Sequence, residues 1–343
     1  MLTDEARGSN LAAQRAQEGG VVQRPKRTYG GYAMLALLLG LFALFSAILP
    51  GTFATSANTS TILAENAILG LLALSVMLPL IVNEYDLSLA SVMGFCAMLA
   101  AGLPARQGMP WTVTALVVLA VGLTVGITHA VLVIRFKLPS FVVSLGTNSV
   151  LTGLILLYSN GSVIYDAIAP EFTFIGTTRI FGIGLPVYIL AFVTAVLWFV
   201  LEKRPLGRKF YAIGANETAA KLAGIPTGRL RAALIIAAPV LASLAGIIIV
   251  GRVGSASPTS FSAYFLPAFA AAFLSLAGYK LGHYNALGVI TAVYLIAVGV
   301  SGLSLLGAPS WVEPIFNGIA LVVAIGLAHL LTRPRKTKHK VTS

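Results

Sequence analysis

Lys203–Arg231, KRPLGRKFYAIGANETAAKLAGIPTGRLR, is a basic, polar island between two apolar runs, Ile183–Leu201 and Ala232–Val250. It carries seven of the chain's 23 Lys and Arg residues. The flanking runs have the length and oiliness of membrane crossings, since about 20 mostly apolar residues span the roughly 30 Å hydrocarbon core. The island is too charged to sit in lipid and too short to form a domain. It is a loop in water between two spans, on a face where it is positioned to touch something.

The rest of the chain has the same character. Only 10% of its 343 residues are charged and 57% are hydrophobic, against about 25% charged in a typical soluble domain. The fold class is therefore all-α, a polytopic transmembrane helical bundle. Ten candidate spans can be placed: Tyr32–Leu49, Ile62–Val82, Leu87–Leu103, Thr112–Ile134, Leu138–Tyr158, Ile183–Leu201, Ala232–Val250, Ser262–Gly278, Leu287–Leu306 and Val312–Leu331. The third and eighth are short for a full crossing, which predicts tilting, breakage or burial among other helices.

Charge sets the orientation. With both termini in the cytoplasm, the cytoplasmic pieces hold 20 of the 23 Lys and Arg, and the opposite face holds only Arg106, Arg179 and Arg252. Positive residues favour the cytoplasmic side, so the island faces the cytoplasm. In a chain of this type the net charge of +12 records topology and interaction with the lipid bilayer, not nucleic-acid binding. The chain divides into a flexible basic cytoplasmic arm (1–31), a transmembrane domain (32–331) whose cytoplasmic loop is 202–231, and a basic cytoplasmic tail (332–343). A long polar arm ahead of a full-length span argues against a cleaved signal peptide. The tail, RPRKTKHK over Arg333–Lys340, reads as an anchor near anionic lipid.

Within the spans, small residues are frequent, and Gly122 and Gly126 form a small-xxx-small pair that lets helices approach closely. Ionisable or amide groups are few: Glu65 and Asn66, His129, and Glu313. Such groups are costly in a membrane. Glu65 and Glu313 lie near outer ends, where water is available, and His129 reads as a hydrogen-bonded packing residue. The lone Cys96 has no disulfide partner. There is no GxxxxGK[ST], HExxH, CxxC or GxSxG motif, and no catalytic or metal-ligating set is legible. If ATP drives transport, the ATPase is another polypeptide.

The island has its own local logic. Pro205 ends the preceding helix and Gly207 permits a turn. Asn216 is placed to cap a short helix over Glu217–Ala223, with Glu217 and Lys221 as an i, i+4 pair, Gly224 as its C-terminal stop and Pro226 following. Ala219, Ala220 and Ala223 give it a slim face. A connecting loop that merely carries positive-inside charge would explain the basic residues equally well.

Three motifs in order resemble the permease subunits of bacterial ABC importers, specifically their monosaccharide, ribose-type branch. Asn83–Ser91, NEYDLSLAS, is similar to the family's GG-I-DLS-x-GS stretch and matches it at Asp86, Leu87, Ser88 and Ser91. Leu138–Gly161 is similar to a segment beginning I-P-S-F-I-V-T-L-G-T, and matches at Pro139, Ser140, Phe141, Leu145, Gly146, Thr147, Asn160 and Gly161. Tyr211–Ile225 resembles Y-A-x-G-x-N-x-x-A-A-x-x-x-G-I. The likeness runs from about Tyr32 to Leu331.

The resemblance implies a permease in the bacterial inner membrane that works by alternating access. It implies cytoplasmic ATPase subunits that use ATP and Mg, a periplasmic or lipid-anchored sugar-binding protein, and a second permease copy in a homodimer. No cofactor is implied for this chain. The implied ATPase-coupling element is Gly214, Asn216, Glu217, Ala219, Ala220, Gly224 and Ile225. Candidate pathway groups are Ser144, Thr147 and Asn148, of which Ser144 and Asn148 share a helical face; helix–helix hydrogen bonding is the competing reading.

Two departures stand out. The family's glycine pair is Asn83-Glu84 here, and Ser275–Tyr284, SLAGYKLGHY, keeps little of a glycine-rich stretch. They leave the solute open, and with it a branched-chain amino acid or nucleoside permease as the alternative. A self-contained secondary carrier or channel is the rival of another class.

Overall fold

The computed structural model describes residues 32–166 and 168–332. The expected arm at 1–31 and nearly all of the expected tail lie outside the described residues. The described residues are mostly helical, and the named strands among them form one hairpin of two residues a side. The helices are α1 (Ala33–Ile48), α2 (Ser56–Leu80), α3 (Leu89–Gln107), α4 (Trp111–Ala130), α5 (Ser140–Ser159), α6 (Pro170–Thr177), α7 (Leu185–Trp198), α8 (Pro205–Ala215), α9 (Glu217–Leu222), α10 (Thr227–Val253), α11 (Phe265–Leu274), α12 (Ala286–Leu305) and α13 (Val312–Thr332). Strands β1 (Arg179–Ile180) and β2 (Ile183–Gly184) pair antiparallel between α6 and α7.

Each of the ten expected spans has its helix. Eight are long and apolar enough to cross a membrane, and α1 and the Val312–Gly326 stretch of α13 supply shorter apolar helices. The two short spans behave as their length predicts. α3 is buried over nearly its whole length. The eighth is broken, with 3₁₀ turns at Ser260–Tyr264 and Ser275–Ala277 flanking α11. Such irregular backbone is tolerated at membrane depth only where protein or water satisfies it.

α2 is the axis of the bundle. Every residue from Ala67 to Leu80 is buried, against α10, α12, α11 and α7. α10 crosses α4 and α3 as well. Gly122 and Gly126 are the contact that brings α4 onto α10: a β-carbon would come within 2.8 Å of the Pro239 carbonyl at Gly122 and of the Ile236 backbone at Gly126. Helices in lipid gain no hydrophobic drive from meeting each other, so close approach through small residues is what packs them. The outer faces instead carry exposed Leu116, Val150, Leu157, Phe192 and Val322, as lipid-facing helices should.

Contacts between loops test the alternation inferred from charge. Loops assigned to the cytoplasm touch one another: Lys280 pairs with Glu202 at 3.1 Å, and Tyr211 donates to the Tyr284 carbonyl at 2.7 Å. Loops assigned to the outside do likewise: Ile164 bridges Ala256, and Ser60 donates to the Gly182 carbonyl at 2.9 Å.

Candidate functional site

The island folds into two helices, not one. Pro205 does not merely end α7; it stands in the first turn of α8, where its missing N–H costs nothing. Nor is Gly207 a turn residue. Its α-carbon lies against the Leu201 carbonyl, where a β-carbon would be only 1.8 Å away. α8 buries Phe210 and Ile213 and presses Gly214 onto the cytoplasmic end of α2, a β-carbon there falling 2.0 Å from the Ile81 carbonyl.

The short helix follows as α9. Asn216 caps it, its side-chain oxygen accepting from the Ala219 N–H at 2.9 Å. At the other end the Ile225 N–H reaches the Ala220 carbonyl and the Gly224 N–H the Lys221 carbonyl, both at 3.1 Å. That paired closure is a Schellman motif, and it needs the left-handed φ of +78° that Gly224 supplies. Ala220 is buried and Ile225 half-buried, whereas Ala219 and Ala223 are exposed. The tip is Leu222, 86% exposed beneath the bundle. In the sequence Leu222 is one helix-favouring residue among several, and nothing local marks it as the tip.

Glu217 does not pair with Lys221. Its carboxylate takes the Arg231 Nη1 at 2.7 Å, because α10 begins beside α9 and offers a less exposed guanidinium. The same guanidinium binds Glu84, through Nε at 3.0 Å and through Nη2. Glu84 stands where the resembling family has glycine. Its neighbour Asn83, at φ +59°, donates to the Gly214 carbonyl. So the two residues that depart from the glycine pair both grip the island.

Asp86, three residues from Asn83, lies under the spans and is buried. Its Oδ1 accepts from the Ser88 hydroxyl at 2.6 Å and the Ser88 N–H at 2.9 Å, which folds the turn into α3. Its Oδ2 meets His129 Nδ1 at 3.1 Å, and His129 Nε2 meets the Thr147 hydroxyl at 2.7 Å. An ionised carboxylate only accepts, so the Nδ1 nitrogen carries the proton. Burial works against the Asp86 charge, but the His129 and Ser88 bonds outweigh it and hold the carboxyl below its ordinary value.

The second motif docks on the same loop. Pro139 opens α5, the Ser140 hydroxyl accepts from the Tyr85 N–H at 3.1 Å, and Ser144 Oγ donates to the Phe141 carbonyl at 3.0 Å. Leu87 is half-buried; Gly146 is exposed, with nothing within 4 Å of its β-position. Of the candidate pathway groups, Ser144 and Thr147 are thus engaged between α5, α4 and the 81–88 loop, and Asn148 is half-buried. The structure brings Gly214, Glu217 and the 83–88 turn together; Gly146 and Asn148 stand apart from them.

A bundle of ten apolar helices, with a capped helix held under it through Arg231 at the start of α10 and the 81–88 loop, defines a membrane-spanning transport subunit. The match is to the family described as branched-chain amino acid transport system / permease component, over residues 58–325. The chain belongs to that family and is a multi-pass protein of the bacterial inner membrane. It is similar to the ribose import permease protein of Escherichia coli K12, with 31% identity over 85% of this chain and 91% of the relative. Against the ribose import permease protein of Bacillus subtilis 168 the identity is 32%, with the same coverage. The fructose import permease protein of Rhizobium meliloti is 28% identical, over 86% of this chain and 83% of the relative. No solved structure matches the chain.

Proposed function

We propose that this chain forms the membrane pathway for a monosaccharide in an importer driven by a separate ATPase, and that α9 is the joint with that ATPase. The relatives named above are sugar import permeases, which favours a sugar over a branched-chain amino acid or nucleoside. ATP and Mg act on the partner. A sugar-binding protein delivers the solute from outside, and a second copy of this chain completes the pathway.

The observation that carries the joint is α9 itself. A six-residue helix capped at both ends presents an apolar tip to the cytoplasm while its base is tied to α10 and to the 81–88 loop. Closure of an ATPase pair around that tip pulls Arg231, hence the start of α10, and through Glu84 the turn that enters α3. Those are the elements whose reorientation alternates access.

Leu222→Asp in the reconstituted importer is the direct test. Leu222 touches little of its own chain, so the permease keeps its thermal midpoint. ATPase co-purification and sugar uptake are expected to fall at least tenfold. Uptake that survives this change, or that proceeds with no ATPase present, overturns the reading.

A further inference from the structure

We propose that a cavity at the outer end of the bundle is a low-affinity station for a neutral polyhydroxylated solute, with Asn317, Glu313 and Glu65 as its principal hydrogen-bonding groups. The inference rests on the importer reading above and adds a place where the sugar is held inside the permease.

The cavity measures about 450 Å³, within the roughly 300–1,000 Å³ of small-molecule sites. It lies among the first half of α2, the turn before α11, the last turns of α12 and the start of α13. All of these are outer ends, where a solute released by a binding protein arrives. Two carboxylates (Glu65 and Glu313), two carboxamides (Asn66 and Asn317) and the hydroxyls of Tyr264 and Ser301 face it. Ile62, Leu69 and Pro267 supply apolar wall between them.

A pair of acids at a membrane surface is no site in itself. The decisive group is Asn317. The residue is 6% exposed and lines the cavity, and its Oδ1 is closed off with no hydrogen-bond partner among the described residues, so that a turn of the carboxamide is what offers the oxygen to a solute. A buried acceptor without a donor is costly and is seldom kept without a reason. Asn66 has already committed its Nδ2 to the Ile62 carbonyl at 2.9 Å, leaving its oxygen for the cavity. The lining is thus rich in acceptors, and its complement is a ligand rich in O–H donors with an apolar ring face. Arg252 stands 3.7 Å from Glu65 and puts positive charge at the rim, which counts against a cation. The carboxylates count against an anion.

Two measurements on the complete importer test this. Proteoliposomes holding permease, ATPase and binding protein are assayed with radiolabelled D-ribose, D-xylose, D-fructose and D-allose, and the transported sugar becomes the probe. Asn317→Leu and Glu313→Gln are expected to cut its uptake at least tenfold, with ATPase stimulation by the loaded binding protein held within twofold. Asn317→Leu removes an unmatched acceptor, so the thermal midpoint is unchanged or higher; a packing role for Asn317 would lower it.

In the second measurement Ser301→Cys is labelled with a charged methanethiosulfonate. Cys96 is buried and stays silent. The transported sugar is expected to slow labelling at least threefold, with sodium chloride and glucosamine giving less protection. If sugars are imported but Asn317→Leu transports normally and labelling is indifferent to sugar, the station is refuted and the importer stands. Stronger protection by glucosamine or sodium refutes the neutral solute. If none of the four sugars is imported, the importer reading fails and the station fails with it.

Discussion

Arg231 is shared by two carboxylates from distant segments, Glu84 and Glu217, and is itself only partly exposed. Hydrogen bonds to charged groups contribute about 1.5–3 kcal/mol each. Arg231→Ala strands both acids and should lower the thermal midpoint of the permease measurably. Arg231→Lys, a point charge without the planar fork, should restore part of it. Transport should fall further than stability in Arg231→Ala, which an uptake assay normalised to folded protein reads. No sequence pattern announces this hub, since its partners stand 14 and 147 positions away. Glu84 was visible only as an absent glycine.

Asp86 gives a pH-dependent counterpart. Its native carboxyl titrates below its ordinary value, so the stabilisation is fully present above the unfolded value of about 4 and is lost as pH falls through the lower native one. Asp86→Asn should therefore cost about 1–3 kcal/mol at neutral pH, the range for a damaged buried hydrogen-bond network. The gap from wild type should hold from pH 8 to pH 5 and close only below about pH 4, as followed by thermal melts. A gap that closes near pH 6 would assign the effect elsewhere. The DLS motif singled out Asp86 and Ser88 only as a matched pair, and the bonds between them emerge from the folded turn. His129 and Thr147 lie on other helices, and their meeting with Asp86 is a matter of packing.

Among the elements, α9 was legible and α8 was not, for physical reasons. Asn216 and Gly224 are punctuation that acts within a few residues, so cap and stop can be read locally. α8 contains Gly207, Gly214 and the leading Pro205, three residues that read as breakers in isolation. They are present because backbone lies directly against them, or because the first turn accepts a proline. The apolar spacing of Leu206, Phe210 and Ile213 was the signal that could have found it.

Glycines also separate contact from free surface. Gly126→Leu must push α4 off the Ile236 backbone, and overpacking of this kind costs about 1–3 kcal/mol. Gly146→Ala meets nothing within 4 Å and should leave the melt unchanged. Should Gly146→Ala nonetheless abolish uptake, a partner copy seated on α5 would be the explanation to test by cross-linking.

At the scale of the whole molecule, span number and sidedness followed from composition and charge, because lipid imposes a length and the cytoplasm a sign. The mutual contacts of the cytoplasmic loops, and of the outer ones, agree with that assignment. Which helix sits at the centre did not follow. α2 is no oilier than α4 or α7, and burial in lipid and burial in protein favour the same residues. The outer cavity was likewise unreadable as a unit, since Glu65 and Glu313 meet only after the last span is placed.

The central position of α2 also governs how the protein is made. α2 leaves the ribosome second, yet its mature neighbours α10, α11 and α12 are among the last to be synthesised, and Tyr294 on α12 donates to the Leu63 carbonyl across 231 positions. Closing so long a loop is a late event. During biogenesis, lipid must stand in for protein around α2 until the final third of the chain arrives. A nascent chain arrested before residue 286 should therefore insert with all its completed spans but remain sensitive to membrane proteases, and it should become resistant only when α12 has been added.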